Sequence, residues 1–164
     1  MDIFSILNGV GETWPAAGRK LLTALVPQII PLAGGMGMKV EKLDDQSAVM
    51  RLPLKRRTRN HVGSIYFGAM ATAAEITMGL YVFRRYVPGP YGVLVTRAEF
   101  DFMAKAKTDV RATCAPGPEL FERVDAALAL EGKASDWVDV ELTDMTGKAV
   151  VRARFQIAVR DFAA

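Results

Sequence analysis

The chain has 164 residues, 51% hydrophobic and 24% charged, with one Cys, one His and a formal net charge of +3. That length makes one domain with a real core, and the composition is too apolar for a disordered chain. A lone Cys excludes a disulfide framework, and one Cys with one His excludes the usual Cys/His zinc sites. Chemistry here has to rest on carboxylates, hydroxyls and backbone groups.

In chain order, residues 13–30 read as a helix. Thr13 is its candidate N-cap and Pro15 lies in its first turn, where a missing N–H costs nothing. Leu21, Leu22, Leu25, Ile29 and Ile30 share one apolar face, Pro27 bends or splits the helix, and Gly34-Gly35 ends it. Residues 36–43 and 47–54 read as two strands of a hairpin around Asp44-Asp45-Gln46, with Ala48, Met50 and Leu52 on one face. Next comes Lys55-Arg56-Arg57-Thr58-Arg59, which places four cations in five positions.

Residues 64–86 form the longest helical stretch, with Ser64 as its cap and Pro88-Gly89-Pro90 as its stop. Its side chains are small or apolar nearly all round, the mark of a central buried helix. Residues 93–105 read as a long strand, with Phe100 and Phe102 on one face and residues 109–114 as its hairpin partner across a Lys105–Thr108 turn. Cys114, inside that partner strand, reads as a small core filler. A surface helix over residues 118–130 ends at Gly132. Two last strands, residues 136–143 and 148–160, flank a turn in which Gly147 supplies a positive φ. The order is that of one α+β domain, a mostly antiparallel sheet wrapped on a central helix.

Two features stand out as carriers of chemistry. Glu75 is the only charged residue between Asn60 and Arg84, in the middle of the apolar helix. A carboxylate there must be paired (Arg97 is a candidate), hydrogen-bonded, or tuned for catalysis. Gly68 and Thr72 fall on roughly the same helical face. The second feature is the loop from Asn60 through Gly63 and Tyr66 to Phe67 and Gly68, which feeds a helix N-terminus. Unpaired amides at such a start favour negative charge and can form an oxyanion hole. Asn60 either orients a water or a carbonyl, or satisfies the loop's own backbone. Tyr66 either donates into the site or packs in the core. His61 reads as an exposed loop residue.

These residues resemble the hotdog-fold acyl-CoA thioesterase superfamily. Its pattern Asn/Gln-x-x-Gly-x-x-His-Gly-Gly, followed by an acid, is matched in register by Asn60, Gly63, Gly68 and Glu75, with Tyr66-Phe67 in place of His-Gly. Glu99-Phe100-Asp101-Phe102-Met103 and the Leu142–Lys148 hairpin are similar to later family strands. The resemblance covers roughly residues 34–160 and points to a poorly characterised branch. It implies a hotdog domain over residues 35–164 behind an N-terminal helical segment, residues 1–34.

It also implies hydrolysis of an acyl-CoA or related thioester. Glu75 would be nucleophile or general base, the Phe67 amide, with that of Gly68, would hold the oxyanion, and Asn60 would position water or thioester. Gly63 and Tyr66 would line the substrate. Lys55, Arg56, Arg57 and Arg59 would meet the phosphates of coenzyme A, which enters only as part of the substrate, with no other cofactor and no metal. The site would join two subunits of a homodimer or a dimer of dimers. The alternative is a non-catalytic acyl-CoA or lipid-binding protein, because Phe67 stands where the family keeps Gly. A hotdog hydratase would need its catalytic His elsewhere than at His61. The basic run lacks interleaved aromatics, against nucleic-acid binding. The early apolar stretch is short and Pro-interrupted, so no membrane span and no signal peptide are expected, and the location expected is cytoplasmic.

Overall fold

The computed structural model describes residues 16–86 and 90–161. The expected cap at Thr13, the Pro15 turn and Pro88-Gly89 lie outside the described residues. Helix α1 spans Ala16–Ile29 and a short helix α2 spans Pro31–Met36. The chain does not end its helix at Gly34-Gly35, as the glycine pair suggests. It breaks at Ile30, before Pro31, and α2 runs on to Gly37, whose φ of 66° closes it in the left-handed region. Pro27 stays inside the last turn of α1.

Strands β1 (Lys39–Leu43) and β2 (Ala48–Leu52) form the expected hairpin, and helix α3 follows at Phe67–Tyr86. Then come β3 (Tyr91–Phe102), β4 (Val110–Cys114), α4 (Glu119–Glu131), β5 (Lys133–Asp144) and β6 (Ala149–Asp161). The sheet is antiparallel with strand order β1-β2-β4-β5-β6-β3. Its inner face buries Ala48, Met50 and Leu52 of β2, and Val151, Ala153, Phe155, Ile157 and Val159 of β6. These side chains close on α3, where Ala69, Ala73 and Ala74 let helix and sheet approach closely. The fold is the hotdog arrangement, a sheet wrapped on one central helix.

One pairing differs from expectation. β4 is not the hairpin partner of β3. It pairs with β2 and β5, whereas β3 lies along β6 from Tyr91–Asp161 to Phe102–Val151. Residues 103–109 therefore carry the chain across β6 and β5 instead of turning back. Strand length explains the choice, because β3 and β6 match over their full extent and the five-residue β4 would leave most of β3 unpaired. β3 becomes a 12-residue sheet edge with Leu94, Val95 and Phe102 exposed.

The outer face of the sheet carries ion pairs, among them Arg154 with Asp139 at 3.0 Å and Arg152 with Glu141 at 3.4 Å. Arg97 pairs there with Glu99 at 2.8 Å and lies over the Trp137 ring, so it is not the partner of Glu75. Cys114 is fully buried in β4, and burial pushes its thiol up to about 12, consistent with inert core packing. No described helix is long and apolar enough to cross a membrane.

Candidate functional site

The basic run is held in place from inside. Thr58 is fully buried, and its hydroxyl donates to the Pro53 carbonyl at 2.6 Å while accepting the Lys55 amide at 2.9 Å. With Thr58 turned inward, Lys55, Arg56, Arg57 and Arg59 all point to solvent. Arg56, Arg57 and Arg59 form no ion pair among the described residues. Lys55 adds to the positive field around Asp109, which also receives Arg51 at 2.6 Å.

The Thr58 carbonyl accepts the Tyr66 amide at 2.7 Å, so the basic run is tied to the approach of α3. Between them, Asn60 organises the loop. Its Oδ1 accepts the amides of Val62 and Ser64 at 3.1 Å each, and its Nδ2 donates to Ser64 Oγ at 3.0 Å. This is the backbone-satisfying alternative of the two read for Asn60. Gly63, with φ 80°, makes the tight turn that a side chain would strain. Ser64 is consumed in the same loop, so the helix starts three residues later than its hydroxyl suggests, with the Tyr66 carbonyl accepting the Ala69 and Met70 amides.

The Phe67 and Gly68 amides, the first two of α3, have no acceptor among the described residues. Their surroundings are aromatic. Tyr66 is 48% exposed and Phe67 56%, so neither packs in the core. The two rings are 4.7 Å apart, and Phe67 meets Phe102 of β3 edge-on at 5.9 Å. The Tyr66 ring also occupies the space beside Gly68, at 2.6 Å from where a Cβ would stand.

Glu75 lies two turns along α3 on a half-buried stripe with Gly68 and Thr72. The Thr72 hydroxyl donates back to the Gly68 carbonyl at 2.9 Å. No hydrogen bond or ion pair of the Glu75 carboxylate is formed among the described residues. Burial alone pushes its carboxyl above the usual range. The side chain borders a cleft of about 150 Å³ between α1 and α3, whose other walls are apolar, Val26, Ile29, Ile30 and Phe83 among them. A larger open basin of about 570 Å³ on the outer sheet face holds Asp139, Glu141, Arg152 and Arg154. Those charges neutralise one another across it. Asp101 also lines the basin without an ion pair among the described residues, but it is exposed, whereas the unpaired Glu75 of the α1–α3 cleft is half-buried among apolar walls. No group of three or more His, Cys, Asp or Glu suited to a metal occurs among the described residues.

The sequence pattern of a family described as "Domain of unknown function (DUF4442)" matches residues 18–159. The chain belongs to the DUF4442 family. Solved structures share the fold of this DUF4442 chain. PA5026 of Pseudomonas aeruginosa, described as a probable thioesterase, aligns with a TM-score of 0.80 at 24% identity, covering 92% of this chain and 99% of its own. A mutant of the thioesterase PA1618, also from Pseudomonas aeruginosa, aligns at 0.69 and 19% identity over 87% of this chain and 93% of its own. A mutant of the thioesterase SAV0944 from Staphylococcus aureus aligns at 0.65 and 16% identity, over 79% and 98%. No curated protein matches the chain.

The α1–α3 cleft is the part of the site that sequence reasoning missed. Its signal was present in Ile29, Ile30 and Phe83, but a face of α1 and a face of α3 carry no mark of which partner each takes.

Proposed function

We propose that this chain hydrolyses an acyl-CoA thioester, with Glu75 as the base that activates water. The observation that carries the proposal is the Glu75 carboxylate, half-buried, without a cationic partner, and lining an otherwise apolar cleft on the helix that begins with two open amides. The thioesterase descriptions of the structural relatives support the same reading.

In the proposed reaction Glu75 takes a proton from water as the water oxygen bonds to the thioester carbon. The carbonyl electrons move to oxygen, where the Phe67 and Gly68 amides stabilise the charge. Collapse breaks the C–S bond, the thiolate of coenzyme A leaves and takes the proton, and a carboxylic acid remains. Asn60 shapes the loop that presents the amides. Phe67 and Glu75 are eight residues apart, about 12 Å of helix axis. We assign the amides facing each Glu75 to a second copy of the chain, added at the open edge of β3, since a 12-residue edge strand with Leu94, Val95 and Phe102 exposed leaves backbone groups for a partner strand.

The direct test is thiol release from a panel of acyl-CoAs at cytosolic pH. Hydrolysis of at least one supports the proposal. Binding without turnover throughout the panel replaces it with the acyl-CoA-binding alternative, which the bulky Phe67 side chain favours.

Two further outcomes are expected. Because Glu75 must be ionised to act as base and burial raises its carboxyl, the acidic limb of the kcat/KM profile should lie above about 4.3, the ordinary Glu value. A limb at or below that value removes Glu75 as the base. Replacing Arg56, Arg57 and Arg59 together with Ala should lower the preference for a CoA thioester over the same acyl group on a truncated thiol. The expected fall is about tenfold, equivalent to about 1.4 kcal/mol. The effect should shrink as salt screens the exposed cations. An unchanged ratio at low salt assigns the phosphates to other residues.

A further inference from the structure

We propose that the cleft between α1 and α3 is the acyl-chain pocket and that it accepts a compact apolar group of about six carbons, with Gly79 and Phe83 setting the limit. The inference rests on the thioester reading above and specifies its substrate.

Volume sets the size. The cleft has a volume of about 150 Å³ and is open to solvent on the side of Ile29, which is 47% exposed. An apolar cavity of about that volume is known to hold one benzene ring. Chemistry sets the class. Val26 and Ile29 of α1, Ile30 at the break after it, and Phe83 of α3 offer dispersion contacts only, and Glu75 is the single charged group on the wall. A polar acyl tail would be desolvated there without a hydrogen-bond partner.

Gly79 carries the size argument further. It sits in the interior of α3, one turn beyond Glu75, where glycine is a poor helix former. Packing does not require it. A Cβ at Gly79 would meet the Phe83 ring at 3.4 Å, an ordinary contact. What the missing side chain leaves is room in the cleft, which Gly79 lines together with Phe83. The opposite wall is anchored. The Thr23 hydroxyl of α1 accepts the Val40 amide of β1 at 3.0 Å. Pro27 Cβ is 2.9 Å from the point a Gly34 Cβ would occupy, so the corner between α1 and α2 is close-fitted. A fixed wall gives the pocket a floor that long chains cannot push aside.

The test measures kcat/KM on straight-chain acyl-CoAs from two to twelve carbons. The wild type should peak near six carbons. Gly79→Val should lower the six-carbon to two-carbon ratio at least tenfold, and Phe83→Ala should move the peak to longer chains. Circular dichroism and Tm establish that both variants fold. Matching chain-length profiles in the wild type and both folded variants overturn the proposal and leave the thioesterase reading standing. A second measurement separates the two claims. S-hexyl-CoA, a thioether that cannot be hydrolysed, should bind the wild type at least tenfold tighter than CoA, and Gly79→Val should erase the difference. That preference in a protein with no turnover upholds the pocket while refuting the thioesterase. Equal affinity for S-hexyl-CoA and CoA in the wild type overturns the pocket regardless of activity.

Discussion

Glu75→Gln is expected to lower kcat on the best acyl-CoA by about 10²- to 10⁴-fold, the usual contribution of a positioned general base. KM should change far less, since the amide has nearly the shape of the carboxylate and the cleft walls are untouched. The same substitution should not destabilise the fold. The Glu75 carboxyl is raised by burial, so the folded state binds its proton more tightly than the unfolded chain does. For such a group stability falls as pH rises from the unfolded pKa through the folded one, and the full cost persists above both. Glu75→Gln should therefore match the wild type in acid and exceed it in Tm at neutral pH. Stopped turnover with a raised Tm is the signature of a functional carboxylate kept at the expense of stability. Wild-type kcat in the variant would take Glu75 out of the reaction.

Thr58→Val is the second large effect. The substitution keeps the side-chain volume and removes the hydroxyl from a fully buried position. The Pro53 carbonyl and the Lys55 amide then lose their partner. Each buried unsatisfied group costs about 1–3 kcal/mol, and the expected total is about 2–3 kcal/mol, read by denaturant unfolding. The functional loss should go beyond stability. Thr58 also holds the Tyr66 amide through its carbonyl, so slack in residues 55–59 reaches the start of α3. Reduced kcat/KM under conditions where the variant is fully folded is the outcome that tells a positioning role from a merely structural one. Unchanged kinetics in the folded variant would uncouple the basic run from the helix start.

The central helix and its acid were legible because their signal is compositional. A run of small and apolar residues interrupted by one carboxylate reads the same in any context. The hairpins β1–β2 and β5–β6 were legible because their turns are local, Asp44–Ser47 and Asp144–Gly147. The pairing of β3 was not. Lys105–Thr108 has the residues of a reverse turn, and nothing local tells a turn from a crossing strand. Only the match in length between β3 and β6 decides it. The start of α3 was misplaced by three residues because Ser64 can cap a helix or close an Asn60 turn, and the tertiary hydrogen bonds of Ile65 and Tyr66 select the second. Tyr66 and Phe67 look like core residues by type, yet they lie at the surface beside Phe102. For the site, sequence marked the acid and the amides but not the α1–α3 cleft, which comes into being only when two distant helices meet.

The crossing segment has a mechanical consequence. Leaving β3, the chain is clipped to β6 where the Met103 and Ala104 amides donate to the Val150 carbonyl at 3.0 and 3.3 Å. Two residues later, the Ala106 carbonyl accepts the Ile65 amide at 2.9 Å, just ahead of α3. A second tie runs through the rings of Phe102 and Phe67. The exposed edge of the sheet and the amide-bearing end of the helix are thus coupled as two ends of one short lever. A body docked along the edge would therefore lie one ring contact away from the two open amides that begin α3.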